Sequence, residues 1–470
     1  MMYKIFKAHV NEISCPCQGG IKMVRVLKRI ITAALLVAVF AQGACAAVEE
    51  PQVLKDLIAQ AEKNNPLISA QHQKVIRYDR AIDEAKGKMG PQAAAAYGAL
   101  FMKDALIPDF SIPVLGISSS KFSPLDSKQL YGAAVGLMQT IYSGGSLQAM
   151  KSAATLARDA TLAEEIRVRQ NVDNAVRVAY YNEKRAEAKK IVAEEAVKLT
   201  NDHLGRAQKL FNGGVIPRAD VLRAKVAVAD SNLNLIRAGN AVELMITALE
   251  RAVGSPIDAE SLRGNAVTKI EKKAIHTTAG MTQVSSSDVS YAWNNRAELK
   301  MYSLLSKQAG QIARAAKGQL LPQVAAGGLI ENVDDKVIPG GNTEWQLGVM
   351  GYWKFLDSGQ MKAKAAQAQA QAKELLYRLD DMKNSIKMDV TQAELNLRSA
   401  RTRLEVATRQ VTESEEDYRI AVKRYEGNVG TNLDMMDARL ALINSRTNLV
   451  DAIYDIEIAK ANLIFAMGQE

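Results

Sequence analysis

The sequence predicts a mainly helical fold with a small β part, built from two copies of one pattern. Proline is absent from residues 125–216 and 340–470, and a proline inside a helix costs about 3 kcal/mol, so both spans predict very long helices. Apolar and small residues recur at steps of three and four over residues 379–425, which is typical of a coiled-coil seam. Segments of alternating polarity lie between the predicted helices and predict the β part.

The first 46 residues are typical of a secretory signal peptide. A basic stretch at 22–29 precedes an apolar run at 30–41 and then small residues up to Ala46. The apolar run is shorter than the roughly 20 residues that span a bilayer. We therefore expect cleavage after Ala46, with translation starting at Met1 or Met23. Lipid attachment at Cys45 is the alternative, although Gln42 stands where a lipobox has an aliphatic residue.

Composition excludes several classes of function. Cleavage after Ala46 removes six basic residues and one acidic residue, so the formal net charge falls from +9 to +4, and all three cysteines are lost. No basic patch remains, which predicts no nucleic-acid partner. The remaining histidines (His72, His203 and His276) have no partner at metal-ligand spacing, and no phosphate loop or nucleophile motif is present. We expect no cofactor, no metal site and no enzymatic activity.

Two internal repeats organise the rest of the chain. Residues 86–92 resemble 317–323 at an offset of 231, and from Gly145 onward the matches fall at an offset of 214, as with Gly254 and Gly468. A longer loop around 104–129 in the first copy accounts for the difference. The predicted repeats are 52–255 and 288–469, joined by an irregular segment at 256–287. Each copy predicts, in order, a helix, two strands, a very long helix and a return helix.

The predicted helix lengths indicate an elongated bundle. In the second copy the long helix covers about 359–425, which is ~100 Å at 1.5 Å per residue. The entry helix, at about 297–320, and the return helix together are nearly as long. We expect the short helices to stack end to end along the long one. The return helix places a group of apolar residues on one face: Leu433, Met436, Leu440, Ile443, Thr447 and Val450.

The segment 344–355 has the alternation of a strand that faces lipid. Its aromatic residues bracket an apolar band of roughly 26 Å, as at the two interfaces of a membrane. The predicted lipid-facing belt consists of Trp345, Trp353 and Phe355, with Tyr131 in the first copy. Further strands are expected at 91–103 and 321–333. About four strands cannot enclose a water-filled lumen, so either several chains share one barrel or the sheet is soluble.

Several motifs, in this order and doubled, resemble the TolC-like outer-membrane efflux protein family. They are residues 64–66, the pair 139–145 and 353–359, and the two turns at 211–222 and 425–438. The resemblance covers 52–469. It implies a homotrimer in the Gram-negative outer membrane, with one 12-stranded barrel in contact with lipid and a helical tunnel of ~100 Å in the periplasm. It also implies two partners, a periplasmic adaptor (membrane fusion) protein and an inner-membrane pump of RND, ABC or MFS type.

The same resemblance assigns site residues. Asp434 and Asp437 match a pore constriction, and Tyr425 and Asp220 match gate contacts. The tips that would dock the adaptor are Gly213, Gly214, Val215, Gly427, Val429 and Gly430. The two aspartates, at i and i+3, share a helix face, and three chains would place six carboxylates around one pore.

Each of these assignments has a structural alternative. The aspartates would also stabilise a helix N-terminus, and the turns would also form plain helical hairpins with glycine caps. Gly430 departs from the family pattern, because the best-known member has a gate arginine there.

We predict a passive exit duct for an efflux pump or a type I secretion system. The alternative is a soluble periplasmic coiled-coil protein, an adaptor or a structural spacer. The sequence does not identify the transported cargo.

Overall fold

The computed structural model of the protein describes residues 50–103, 111–112, 117–118, 129–258, 262, 286–338, 340, 343–427 and 429–469. The predicted signal peptide lies outside the described residues, as does most of the predicted irregular segment. The chain divides into two units, residues 1–55 and 56–470. Of the first unit only residues 50–55 are described, at the start of the first helix, so the features below belong to the second.

The helices and strands are as follows, in chain order. They are α1 (Gln52–Asn64), α2 (Pro66–Gly87), β1 (Gln92–Phe101), β2 (Ser111–Ile112), β3 (Ile117–Ser118), β4 (Gln129–Tyr142), α3 (Ser146–Asn212), α4 (Arg218–Val253), α5 (Ser286–Asn295), α6 (Ala297–Gly318), β5 (Gln323–Asp334), β6 (Thr343–Tyr352), α7 (Gln360–Glu426) and α8 (Asn432–Met467).

The element order occurs twice. The run α2, β1, β4, α3, α4 recurs as α6, β5, β6, α7, α8. Equivalent helices have the same lengths, 22, 67 and 36 residues. A helix of 67 residues is about 100 Å long. The long helices therefore have the length that the absence of proline predicts, and the hairpin of β2 and β3 belongs to the longer loop of the first copy.

The helices pack side by side in a fixed order. α2 and α4 pack along α3, while α6 and α8 pack between α3 and α7. The predicted seam of α7 is confirmed, because its residues are buried against these neighbours: Ile386, Val390, Ala393, Leu397, Ala400, Leu404 and Ala407. Alanine at so many seam positions allows the helix axes to approach closely.

The predicted apolar face of α8 is buried only in part: Val450 is buried, whereas Met436, Ile443 and Thr447 are half-buried. Leu433 and Leu440 are 61% and 56% exposed, whereas Met435 and Leu442 are buried. The exposed residues border an open groove of about 940 Å³ between α4 and α8. The apolar residues of α8 are spread around the helix because it packs on both α3 and α7. The sequence periodicity of α8 therefore does not single out one buried stripe.

The short helices abut end to end along each long one. Gly254, just after α4, has a left-handed φ of 83°, and a Cβ there would lie 2.7 Å from the Cα of Asn65, just before α2. Asn65 donates from Nδ2 to the carbonyl of Ala252 at 2.7 Å and accepts at Oδ1 from the Leu67 N–H. Gly468 meets Arg296 in the same way in the second copy.

The main sheet is antiparallel in the order β1, β4, β5, β6. β1 and β6 are its edges. The strand expected at 344–355 ends at Tyr352, so Trp353 and Phe355 lie in the connection to α7. The physical reason is that Tyr352 pairs with Gln323, the first residue of β5, and the preceding Pro322 has no N–H for the next bond.

Two adjacent glycines offer a matched test of the junction between β4 and α3. Both have left-handed φ, but a Cβ on Gly144 would lie 2.2 Å from the Gly318 carbonyl oxygen, while Gly145 has open space. We expect Gly145→Ala to cost about 1–2 kcal/mol and Gly144→Ala to cost roughly 1–3 kcal/mol more. Unfolding in denaturant measures both values. Equal losses would contradict the close approach.

Candidate functional site

Two tight turns form one end of the helical layer. Gly213 donates its N–H to the Lys209 carbonyl and Val215 donates to the Leu210 carbonyl, which closes the end of α3. The second turn repeats this, with Gly427 and Val429 donating to the carbonyls of Lys423 and Arg424. Gly213 and Gly427 do not have the left-handed φ of the usual glycine cap, which Gly214 supplies in the first turn.

Side chains at these turns are short or apolar. Val215 and Val429 are 48% and 75% exposed. A Cβ on Gly430 would lie 3.0 Å from the Arg424 Cβ. Gly430 therefore sits where a larger residue would have to displace Arg424. Val215 and Val429 therefore place apolar side chains in solvent at the two tips.

The two aspartates of the predicted constriction differ in their bonding. Asp434 forms a capping box with Thr431: its Oδ2 accepts from the Thr431 N–H at 3.1 Å, and its own N–H donates to Thr431 Oγ1 at 3.1 Å. These bonds, with the nearby charge of Arg424, lower the pKa of Asp434. Asp437 is exposed and borders the groove between α4 and α8. Asp434 thus stabilises the start of α8 whether or not it also lines a pore.

A buried polar cluster lies directly behind the turns. Tyr425, His203, Asn432 and Arg439 are between 1% and 8% exposed, and they come from α7, α3 and α8. The His203 and Tyr425 rings meet edge to face at 5.8 Å. Among the described residues, the Tyr425 hydroxyl and Nε and Nη1 of Arg439 are buried without hydrogen-bond partners; the His203 nitrogens and Asn432 Oδ1 make no regular hydrogen bond, although Asn432 lies close enough to His203 to affect its pKa. Such groups are costly to bury, so this part of the packing is weaker than its apolar surroundings.

The electrostatics of the cluster keep His203 neutral. Burial, followed by the positive charge of Arg439, lowers the pKa of His203 to about 4. Burial raises the pKa of Tyr425, and the carboxylate of Asp220 adds to the effect. Burial lowers the pKa of Arg439. A proton on His203 would therefore place a second positive charge in a poorly solvated site.

Asp220 reaches this cluster from α4. Its Oδ1 accepts from Asn432 Nδ2 at 3.3 Å and from Arg223 Nη1 at 3.4 Å. No hydrogen bond joins it to Tyr425 in the described part of the chain, since the Tyr425 hydroxyl has no partner. Asn432 therefore bridges α8 to α4 at the place where the sequence suggested a contact of Asp220 with Tyr425.

His203, Asn432 and Arg439 belong to the cluster but were not predicted from the sequence. The sequence contains one usable indication: Thr200, His203 and Ala207 follow steps of three and four on the buried face of α3. A polar residue in such a seam marks a specific contact. Asn432 and Arg439 carry no comparable pattern, because they face the cluster only through the packing of α8 on α3.

One face of the sheet is apolar and exposed, whereas the opposite face mixes polar residues with exposed apolar ones such as Met138 and Met350. Trp345 pairs with Ile330, which pairs with Val135, so the three share a face. Leu347 and Val349 lie on that face and are 81% and 73% exposed. An exposed apolar patch of this extent marks a surface covered by lipid or protein.

The predicted belt residues are all solvent-accessible in the single chain. Trp345, Trp353 and Phe355 are 72%, 56% and 80% exposed. Tyr131 is half-buried, because its ring meets Phe101 edge to face at 5.9 Å. The opposite face carries Glu331 and Glu344, directly paired across the strands.

Comparison with known families identifies the chain. The profile of the outer membrane efflux protein family matches residues 57–255 and 289–469. The protein belongs to this family. A comparison with curated proteins finds no relative of this chain.

Solved structures share the fold at low sequence identity. The outer membrane protein VceC from Vibrio cholerae is 19% identical over 89% of this chain and 96% of its own, with a TM-score of 0.70. The CmeC outer membrane channel of Campylobacter jejuni is 15% identical over 88% and 85%, with a TM-score of 0.71. The MtrE outer membrane channel of Neisseria gonorrhoeae, in its open state, is 18% identical over 88% and 89%, with a TM-score of 0.67.

Family membership decides between the rival functions. The protein is an outer-membrane efflux channel that extends into the periplasm. It is a conduit, as expected, and not an enzyme. The alternative of a soluble periplasmic coiled-coil protein is therefore wrong. Of the described helices, none is both long and apolar enough to cross a membrane, and the described residues hold no acidic, histidine or cysteine cluster placed to bind a metal.

The neutral His203 makes the tip sensitive to acid. Its pKa is about 4 in the fold and about 6.5 in the unfolded chain, so the unfolded state binds the proton first. Stability from this site is complete above pH ~6.5 and falls as the pH drops toward 4, by up to about 3 kcal/mol. Native-state hydrogen exchange of the tip amides, corrected for intrinsic rates, measures the loss.

His203→Gln should remove this pH dependence. His72→Gln is the control, because the His72 side chain is 61% exposed and lies on α2, far from the turns. An unchanged dependence in His203→Gln would assign the acid sensitivity to other groups.

Proposed function

We propose that three copies of this chain form the exit duct of a tripartite efflux pump or of a type I secretion system. The observation that carries the proposal is the pair of unpaired sheet edges. β1 and β6 each leave a row of backbone N–H and C=O groups without partners in the main sheet. Four strands are too few to enclose a lumen, whereas the twelve strands of three chains are enough, and closure removes every edge.

The open edges of the helical layer support the same closure. β1 follows α2, and β6 precedes α7, so each sheet edge continues into an outer helix of the layer. On one edge α4 continues the line of α2, which it abuts at Gly254. α4 and α7 carry exposed apolar side chains: Val226, Ile236 and Leu244 on α4, and Tyr377, Met388 and Val406 on α7. A single contact between adjacent chains of the trimer would cover the edge of the sheet and the edge of the helical layer together.

The two faces of the sheet fit a barrel in the outer membrane. Trp345, Leu347 and Val349 would face lipid, with Trp353, Phe355 and Tyr131 at the ends of the apolar band. Gln346, which donates to Glu331 at 3.0 Å, would face the lumen with Glu344. The helices would continue the lumen through the periplasm.

The turns would form the periplasmic end of the tunnel. Asp434 and Asp437 from three chains would surround its constriction, and Tyr425 and Asp220 would belong to its gate. The tips at 213–215, 427 and 429–430 would meet a periplasmic adaptor, which links the duct to an inner-membrane pump of RND, ABC or MFS type. The buried, poorly bonded cluster at His203 supports a gate here, because its packing is cheap to rearrange.

The trimer is tested by stoichiometry. Native mass spectrometry of the detergent-purified protein should give three chains per particle. A matched variant with lysines at Val226 and Ile236 of α4 should release monomers, because the edge would then bury unpaired charges. A monomeric or dimeric wild-type particle would contradict the proposal.

The constriction is tested by single-channel recording. Asp434→Asn with Asp437→Asn removes two charges per chain, while the amide oxygen introduced at position 434 can still accept from the Thr431 N–H. We expect cation selectivity and block by trivalent cations to weaken by roughly tenfold, since pore carboxylates attract cations at close range. Glu413→Gln with Asp417→Asn removes the same charge from exposed sites on α7 and should leave selectivity unchanged. Equal effects of the two variants would sink the ring assignment.

A further inference from the structure

All four junctions between strand and helix lie at one end of the sheet. Gln323, which starts β5, pairs with Tyr352 at the end of β6, and Val324 pairs with Tyr142 at the end of β4. Gln92, which starts β1, pairs with Met138 near the same end. Residues at the four junctions therefore lie at about the same level along the axis of the proposed barrel.

An apolar rim surrounds this end of the sheet. Its residues are all at least 46% exposed: Ile141, Tyr142, Leu321, Trp353, Phe355 and Leu356. The Trp353 and Phe355 rings lie 6.0 Å apart, and the indole N–H of Trp353 donates to the Leu320 carbonyl at 3.1 Å. Aromatic residues with one bonded polar end are typical of the boundary between hydrocarbon and headgroups.

Five lysines lie immediately beyond the rim. This lysine collar consists of Lys151, Lys317, Lys354, Lys362 and Lys364, all exposed. Lys354 follows the end of β6 by two residues, and the other four lie in the helical turns that adjoin the sheet, at the start of α3, the end of α6 and the start of α7. No collar lysine has a carboxylate partner among the described residues; Lys354 contacts only the Gln360 amide oxygen, at 3.5 Å.

The acidic residues of the same region are already engaged. Asp83 and Glu84 pair with Lys86 and Lys88 at the end of α2. The Asp357 carboxylate accepts from the backbone N–H groups of Gly359 and Met361, at 3.0 and 2.8 Å. The collar therefore carries uncompensated positive charge next to an apolar rim. Lysines so placed extend their ammonium groups to the phosphates of a membrane surface.

We propose that the lysine collar binds anionic phospholipid of the periplasmic leaflet of the outer membrane. This rests on the proposed barrel and goes beyond it by naming the lipid class and the residues that select it. A zwitterionic lipid would contact the apolar rim equally well, but its headgroup would not neutralise the charge of the lysine collar. Selective lipid would hold the channel at a fixed depth, with the helices starting at the headgroup level.

Trp353 is a built-in probe of this rim. The chain has three tryptophans, so Trp293→Phe with Trp345→Phe leaves Trp353 as the single reporter. This variant is reconstituted in phosphatidylcholine bilayers containing brominated phosphatidylglycerol or brominated phosphatidylcholine. Quenching of Trp353 fluorescence then gives the relative binding constant of the two lipids at the collar.

We expect phosphatidylglycerol to be favoured by at least about threefold, since one basic residue near an anionic surface favours association by roughly fivefold before screening. High salt should bring the ratio of the two binding constants toward one. This test uses the protein with its collar lysines unchanged. Changing the five collar lysines to glutamine should also abolish the preference, while changing them to arginine should keep it. The matched control changes five exposed lysines far from the sheet to glutamine: Lys198, Lys209, Lys225, Lys387 and Lys423.

The outcomes separate the two proposals. Equal binding of the two lipids at low salt, or a preference that survives the collar glutamines, would overturn the lysine collar while leaving the barrel intact. Absence of quenching by both brominated lipids would place Trp353 outside the membrane and would overturn the proposed barrel itself.

Discussion

The end-to-end abutment of two short helices along each 67-residue helix is the constraint on which the rest of the structure depends. A helix about 100 Å long buries one face along its whole length only if its neighbour is equally long. Each long helix is instead lined by two short helices placed end to end, which meet at Gly254 in the first copy and at Gly468 in the second. At Gly254 a single added carbon would strike the backbone of Asn65. The continuity of the layer depends on that small space.

The sheet end and the turn end of the helical layer differ in how they are packed. At the sheet end, the rigid junctions at Gly144 and Gly318 hold strands and helices in close backbone contact. At the turn end, buried polar groups without partners replace apolar packing around His203 and Tyr425. Well-packed junctions resist movement, whereas an under-satisfied cluster opens at lower cost. The proposed duct, fixed in a membrane and opening at its far end, would need this distribution of stability.

Charge follows the same division along the chain. Much of the helical surface carries local ion pairs, such as Arg403 with Asp455 and Arg446 with Glu415, which contribute little individually. The strand ends instead carry lysines without acidic partners, and the start of α8 carries Asp434 and Asp437. Unbalanced charge therefore occurs at the two places where the proposed duct meets something else, namely lipid at one end and its cargo at the other.

The sequence by itself determined the helix lengths, the duplication and the exposed apolar face of the sheet, because these follow from proline placement, offsets and alternation, which are local properties. It did not determine where β6 ends, since that depends on a partner strand that begins after Pro322. It identified the buried face of α8 only in part, and it did not identify the cluster of His203, Asn432 and Arg439. Those residues meet only because α8 packs against α3 as well as α7. A helix with neighbours on two sides has no single apolar stripe, and only the tertiary packing decides which side is buried.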